Sequence, residues 1–429
     1  MKKSLLALAA VGAFASAAQA QSSVTVYGIL DMGLVGGNNT ATQGGAYNTT
    51  TGPTKTTGLG IAQSAESTSR LGFKGNEDLG GGTSAVFTME VAFAPSATTT
   101  ATSQTPFYYT RQAFVGVKKN GVGSLLAGTQ NTTIYDAVLT SDPSGVNNMG
   151  GNLVTLGAIG PQGQAGTSTG GSASQYGLAN NSAYNTRVEN ALQFKSDTFS
   201  GFGARAMVVA YNANSTDTTQ GGAAAGVGGQ NNVNGYGLGL DYNWNKLNVT
   251  ANVQQFNAVS NANLSNTQAV LFGSSATAVS SLASPGVNVK DAGQYYAANY
   301  DFGILKAFYQ YVNRKGTQAN DANYYTKYSA NQIGVNSYVT PAIQVWASAA
   351  IGKYQAQGAF TTSGAPTYIP GSTNLNGFQL GSNYWLSKRT NLYAIYGQMA
   401  QSNQAMTSAT GPTSAYNMNN YAVGVRHTF

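Results

Sequence analysis

The 429-residue chain holds one histidine, His427, and no cysteine, which removes most routes to covalent or hydrolytic chemistry. Catalysis by Ser-His-Asp or Asp-His sets needs an imidazole beside the nucleophile or water. His427 instead lies near the carboxyl end, on the apolar parity of its segment. A zinc or haem centre would lack ligands, so no metal and no cofactor is expected. Calcium can use carboxylates and backbone oxygens, but no D-x-D-x-D-G run occurs after residue 20. Gly80, Gly81 and Gly82 read as a turn, because no helix follows to form a phosphate cradle. The formal net charge of +7 comes from scattered cations without basic runs, so nucleic acid is not an expected partner. The residue inventory argues against an enzyme and leaves isolated charges whose placement must come from the elements that carry them.

Those elements have an unusual composition. Charged residues are 8% of the chain, against about 25% in typical globular proteins, while Gly reaches 54 residues and Tyr 26. Polarity is carried by Asn, Gln, Ser and Thr, which suits a surface with lipid on one side and water on the other. Tyr collects at such boundaries, with its ring in the apolar zone and its hydroxyl among headgroups. At the amino end Lys2 and Lys3 precede an apolar run from Leu5 to about Ala18, and Ala18-Gln19-Ala20 has the form of a signal-peptidase site. Residues 1–20 are therefore predicted to be a secretory signal peptide, leaving 21–429 as one barrel domain. Its loss removes two lysines and lowers the formal charge to +5, two below the whole chain's +7. No later window resembles a membrane helix, so any crossing is made by strands.

Period-two alternation supplies the strands. Leu247, Val249, Ala251 and Val253 oppose Asn248, Thr250, Asn252 and Gln254; Ile333, Val335 and Val339 oppose Gln332, Gly334 and Asn336; Val24, Val26, Leu30 and Met32 oppose Thr25, Tyr27 and Asp31. Alternation alone fits a soluble sandwich as well as a barrel, and connection lengths separate them. Short turns fall near Glu77–Gly82, Lys119–Gly123, Ser196–Gly201, Asn243–Lys246, Asp301–Gly303, Thr340–Pro341 and Ser387–Thr390. Long polar stretches such as Asn212–Asn234, Asn257–Val289 and Gln355–Asn374 lie between them. Strict alternation of short and long connections places all turns at one end of a barrel. The count predicts about sixteen antiparallel strands. At the carboxyl end Tyr421, Val423, Val425 and Phe429 alternate with Ala422, Gly424, Arg426 and Thr428, a strand whose edge a closed barrel would pair with the first.

Four segments resemble motifs of the Gram-negative general diffusion porins. Ser23 to Asp31 reads S-V-T-V-Y-G-I-L-D, Ser69 to Gly82 reads S-R-L-G-F-K-G-N-E-D-L-G-G-G, Thr110 to Val117 reads T-R-Q-A-F-V-G-V, and the chain ends V-G-V-R-H-T-F. The resemblance implies an all-β transmembrane barrel of the outer membrane, usually a homotrimer, with a long third loop folded into the lumen. It also implies a final Phe429 read by the barrel-assembly machinery, surroundings of lipid and lipopolysaccharide, and passage of small hydrophilic solutes and ions. By position the loop begins near Asn131, contains Tyr135, Asp136 and, in S-D-P-S-G, Asp142, and runs to about Ala183. The family's constriction sets loop acids against wall arginines, which match Arg70, Arg111 and Arg187 here, with Asp136 and Asp142 on the loop. The glutamate of enterobacterial members has no counterpart, since Gly145 and Val146 occupy that region.

Parity gives the arginines an independent reading. Arg70 opposes Leu71 and Phe73, and Arg187 opposes Val188, Leu192 and Phe194, so both face the lumen. Arg111 shares its parity with Val115 and Val117, which leaves its direction to be decided by the cost, about 2–4 kcal/mol, of an arginine on the lipid face near the midplane. A structural ion pair between Arg187 and Glu189 is the competing role. Asp31, Lys74, Glu189 and Arg426 are further candidate lumen charges, and Glu66 and Glu90 carboxylates that could offset the arginines. With more positive than negative charge, the expected channel prefers small anions. A substrate-specific channel and an adhesin-like structural barrel are the alternatives.

Overall fold

The alternating segments form strands in a computed structural model that describes residues 23–41, 54–95, 107–155, 187–215, 229–260, 287–318, 322–323, 325–359, 368–402 and 416–429. β1 (Ser23–Ala41), β2 (Thr54–Gln63), β3 (Arg70–Gly80), β4 (Thr83–Phe93), β5 (Phe107–Lys119) and β6 (Gly123–Asn131) precede helix α1 (Thr133–Ser141). β7 (Arg187–Ser196), β8 (Phe202–Ser215), β9 (Gly229–Trp244), β10 (Leu247–Ser260), β11 (Val287–Asp301) and β12 (Lys306–Gln318) follow it. β13 (Tyr325–Thr340), β14 (Ile343–Ala359), β15 (Tyr368–Trp385), β16 (Thr390–Gln401) and β17 (Tyr416–Thr428) close the sheet. The predicted signal peptide, residues 1–20, lies outside the described residues.

Each strand pairs antiparallel with its neighbours, and β17 returns to β1 in a register from Ile29↔Thr428 to Ala41↔Tyr416. The barrel is closed, which leaves no edge unsatisfied. Seventeen strand segments make sixteen staves, because β2 and β3 are halves of one. β2 pairs the upper part of β1, Met32↔Gln63 to Ala41↔Thr54, and β3 the lower part, Ser23↔Asn76 to Ile29↔Arg70. Residues 64–69 between them leave the ladder and bend inward. The run S-A-E-S-T-S there lacks apolar partners for the outer face, and Ser64 adopts a left-handed φ of 64°. Strands also extend into the stretches read as loops, as β14 does to Ala359 and β9 from Gly229. Backbone pairing continues there without the apolar alternation that made strands visible in sequence.

The outward face carries the apolar set, including Leu240, Ile333, Ile351 and Val423. Exposed aromatics gather beside the short turns: Phe199, Trp244, Phe302, Tyr338 and Tyr384, the arrangement of an interfacial girdle. The inward face is polar but far from empty. Residues 132–155 lie along it, beginning with α1, whose amino end is capped by Thr132 accepting from the Tyr135 amide at 3.2 Å. Ile134, Val138, Leu153 and Val154 pack against Tyr295, Val312, Tyr328 and Ala330 of the wall. Full burial of each large aliphatic side chain contributes roughly 1.5–3 kcal/mol. Farther along, Gln379 Nε2 donates to the carbonyls of Met149 and Gly150 at 2.7 and 2.8 Å. Glycine is required at this crossing, because a Cβ on Gly397 would stand 1.9 Å from the Gly150 oxygen.

Candidate functional site

Three arginines and one glutamate meet on the inner wall formed by β3 to β7. Arg70 opens β3 as the chain returns from the inward bend. Its Nε donates to the Thr68 carbonyl at 3.0 Å and its Nη2 to Ser67 Oγ at 2.7 Å, so the bend fixes the guanidinium. Arg111 would face outward on its strand's parity. The β4–β5 register shifts between Glu90 and Val91, where Glu90 opposes Gln112 and Val91 opposes Thr110. Arg111 is the extra residue of this bulge, and the bulge turns it inward. It is 3% exposed, with Nε 2.6 Å from Glu90 Oε1 and Nη1 3.2 Å from the Tyr109 hydroxyl.

Arg187 opens β7, and its guanidinium lies 5.1 Å from the ring centroid of Tyr135 on α1. A cation over an aromatic face is held without being neutralised. Its Nε has no acceptor among the described residues. Arg70 and Arg187 each lie within electrostatic range of Arg111. Glu90, also 3.9 Å from Arg70 Nη1, is the one carboxylate set among them in the described residues. The cluster therefore keeps an excess of positive charge on a partly desolvated stretch of the inner wall, where charge acts more strongly than in bulk water.

The expected loop acids sit elsewhere. Asp136 pairs with Lys195 on β7 at 2.6 Å and accepts from Asn131 Nδ2 at 3.0 Å. Asp142 turns into its own loop: its oxygens accept from the Ser144 and Val146 amides at 3.1 and 2.8 Å and from Asn152 Nδ2 at 2.5 Å. Val146 has a φ of 60°, a strained setting for a β-branched residue, and the Asp142 carboxylate holds its amide there. Among the described residues neither acid forms an ion pair with an arginine of the cluster, which corrects the expected loop-acid pairing for both. Glu189 is exposed beside Asn190, whose φ is 52°, and forms no ion pair among the described residues. The alternative Arg187–Glu189 pair is absent from that set, and the Tyr135 ring stands in its place.

The remaining candidate charges divide between open and occupied positions. Lys74 is exposed on the inward parity, 5.5 Å from the centroid of Tyr27. Asp31 is buried and accepts from the Glu66 and Ser67 amides at 2.9 and 2.6 Å and from the Tyr393 hydroxyl at 2.6 Å. Glu66 accepts from Asn383 and Asn391, both at 2.9 Å, and pairs with Arg426 at 3.4 Å. Arg426 also lies 5.4 Å from the Trp385 ring centroid. These groups brace the inward bend, and Asn148 of the loop joins them by donating from its amide to the Ala65 carbonyl at 3.0 Å. The brace was not visible in the sequence, because its partners come from β1, β15, β16 and β17. Phe429 exchanges backbone hydrogen bonds with Gly28, each at 3.1 Å.

A Gram-negative porin family model matches residues 7–404. An outer membrane porin of Bordetella pertussis is 29% identical over 456 aligned residues, covering all of both chains. The anion-selective porin from Comamonas acidovorans shares the fold with a TM-score of 0.60 at 20% identity, over 95% of this chain and all of that one. OmpT of Vibrio cholerae in its trimer form gives a TM-score of 0.57 at 16% identity, over 95% and 99% of the two chains.

Proposed function

Since the chain belongs to the Gram-negative porin family and is an outer-membrane diffusion channel, we propose that it prefers small anions and that Arg70, Arg111 and Arg187 set that preference. The observation that carries this reading is three inward guanidiniums with, among the described residues, the single carboxylate of Glu90 between them. The anion selectivity of the Comamonas fold neighbour supports it. The expected loop from Asn131 to about Ala183 serves as the constriction, its part after residue 155 lying outside the described residues, with Tyr135 steering Arg187 and Asp142 holding the loop's shape. Asp136 tempers Lys195. Small hydrophilic solutes pass alongside ions.

The assembly reading follows the family. Residues 1–20 act as the export signal, Phe429 as the assembly signal, and three copies associate in lipid and lipopolysaccharide, as the trimer form of the Vibrio neighbour supports. Passive transport accounts for the chain without catalysis: His427, its one histidine, is exposed and hydrogen-bonded to Thr390 at 2.9 Å. The test is a reversal potential in a potassium chloride gradient across a planar bilayer. An anion-side potential is expected, and a cation-side potential removes the preference while leaving the diffusion channel.

A further inference from the structure

Below α1, towards the short-turn end, the inner wall forms a cavity of about 460 Å³. Lys195 from β7, Arg205 from β8 and Lys306 from β12 converge on it, together with Asp241, Thr140 and Asn248. Three cations from three separate staves in one polar cavity are notable in a chain with 8% charged residues.

Their partners leave a surplus. Asp136 takes Lys195 at 2.6 Å, and Asp241 takes Arg205 at 2.6 Å. Lys306 has no carboxylate within 4.0 Å among the described residues and lies 5.2 Å from the Phe308 ring centroid. The guanidinium of Arg205 is built in: Nη2 also reaches Thr250 Oγ1 at 3.3 Å, and Nε is buried without an acceptor. A Cβ on Gly239 would stand 3.1 Å from that Nε and 2.2 Å from Asn252 Oδ1, so glycine keeps the room that the side chain fills. Around these charges the lining is hydroxyl and amide, which can donate to an oxygen-rich ligand.

We propose that this cavity is a weak binding site for small oxyanions, carboxylate or phosphate, with Lys306 as the primary contact and Arg205 and Lys195 as flanking donors. It rests on the anion-channel reading and extends it. An anion leaving the arginine cluster towards the turn end meets a second positive station. Conduction needs sites that attract an ion yet release it, and Asp241 and Asp136 keep this one weak.

Inorganic phosphate and, separately, malonate are added to the turn-end side of single channels carrying chloride current. Each should reduce the current at lower concentration from that side than from the loop end. Lys306→Gln should raise the half-blocking concentration about fivefold, the loss of one charge at short range, and Lys306→Arg should keep it near wild type. Unitary conductance and SDS resistance of the variants report that the barrel is intact. The more strongly blocking probe names the source chemistry. Unchanged block in both Lys306→Gln and Lys195→Gln overturns the site, as does block relieved solely by replacing Arg70, Arg111 and Arg187. Reversal potential separates the two readings: a cation-side wild type fails the constriction claim, whereas the Lys306 comparison fails or sustains the cavity alone.

Discussion

Arg111 reaches Glu90 across the register shift of β4 and β5, with Nε 2.6 Å from Oε1. The bulge thus performs two tasks: it turns an arginine away from lipid and brings it onto the carboxylate that offsets the cluster.

Glu90→Gln should accordingly strengthen anion preference. It removes the negative charge nearest Arg111 and Arg70 while keeping a hydrogen-bond acceptor for Arg111. The reversal potential should move further to the anion side at low salt, and less in 1 M salt, where the screening length falls to about 3 Å. An unchanged potential would show that Glu90 lies outside the permeation path.

Replacing Arg70, Arg111 and Arg187 by Gln should move the potential towards cations without loss of the SDS-resistant barrel. Arginine stays charged at all physiological pH values, so wild-type preference should hold between pH 5 and 8. Selectivity that collapses within that range would assign it to a titrating group instead.

Asp142→Ala distinguishes a scaffold from a pore acid. As a scaffold, Asp142 holds Val146 at its left-handed φ and ties Asn152 across the loop. Charge-assisted hydrogen bonds of this kind contribute about 1.5–3 kcal/mol each. The variant should show noisier and larger single-channel currents with little change in reversal potential. A marked anion shift at unchanged conductance would restore it as a pore acid.

Barrel closure offers a paired test. A Cβ on Gly28 would stand 2.3 Å from Phe429 Cζ, whereas one on Gly60 meets nothing within 4 Å. Gly28→Ala should lower the temperature at which the SDS-resistant form is lost, consistent with an overpacking cost of about 1–3 kcal/mol. Gly60→Ala should leave it unchanged. Equal behaviour would mean that the Phe429 ring does not secure the seam.

Period two in Leu247–Gln254 and in Tyr421–Phe429 was sufficient to assign strands and their faces, because neighbouring side chains must point to opposite sides of a pleat. The seven short turns followed from Gly, Asn, Asp and Pro placements that local backbone geometry requires. The lumen direction of Arg70 was equally legible, being a local property of a regular strand; the opposition of Arg187 to Val188 and Leu192 was not, because the β6–β7 register shifts beside Asn190, whose φ is 52°, and Val188 is buried with Ala191 and Met207. Arg111 was not, since its direction depends on a bulge defined against β4, a strand whose alignment one sequence segment does not contain. The same limit applies to Asp142, whose partners Ser144, Val146 and Asn152 lie two to ten residues along its own folded loop, and to Asp31, which meets Tyr393 362 residues away. Strand identity is a short-range pattern; which charges meet in the lumen depends on closure and register, and those only the tertiary structure decides.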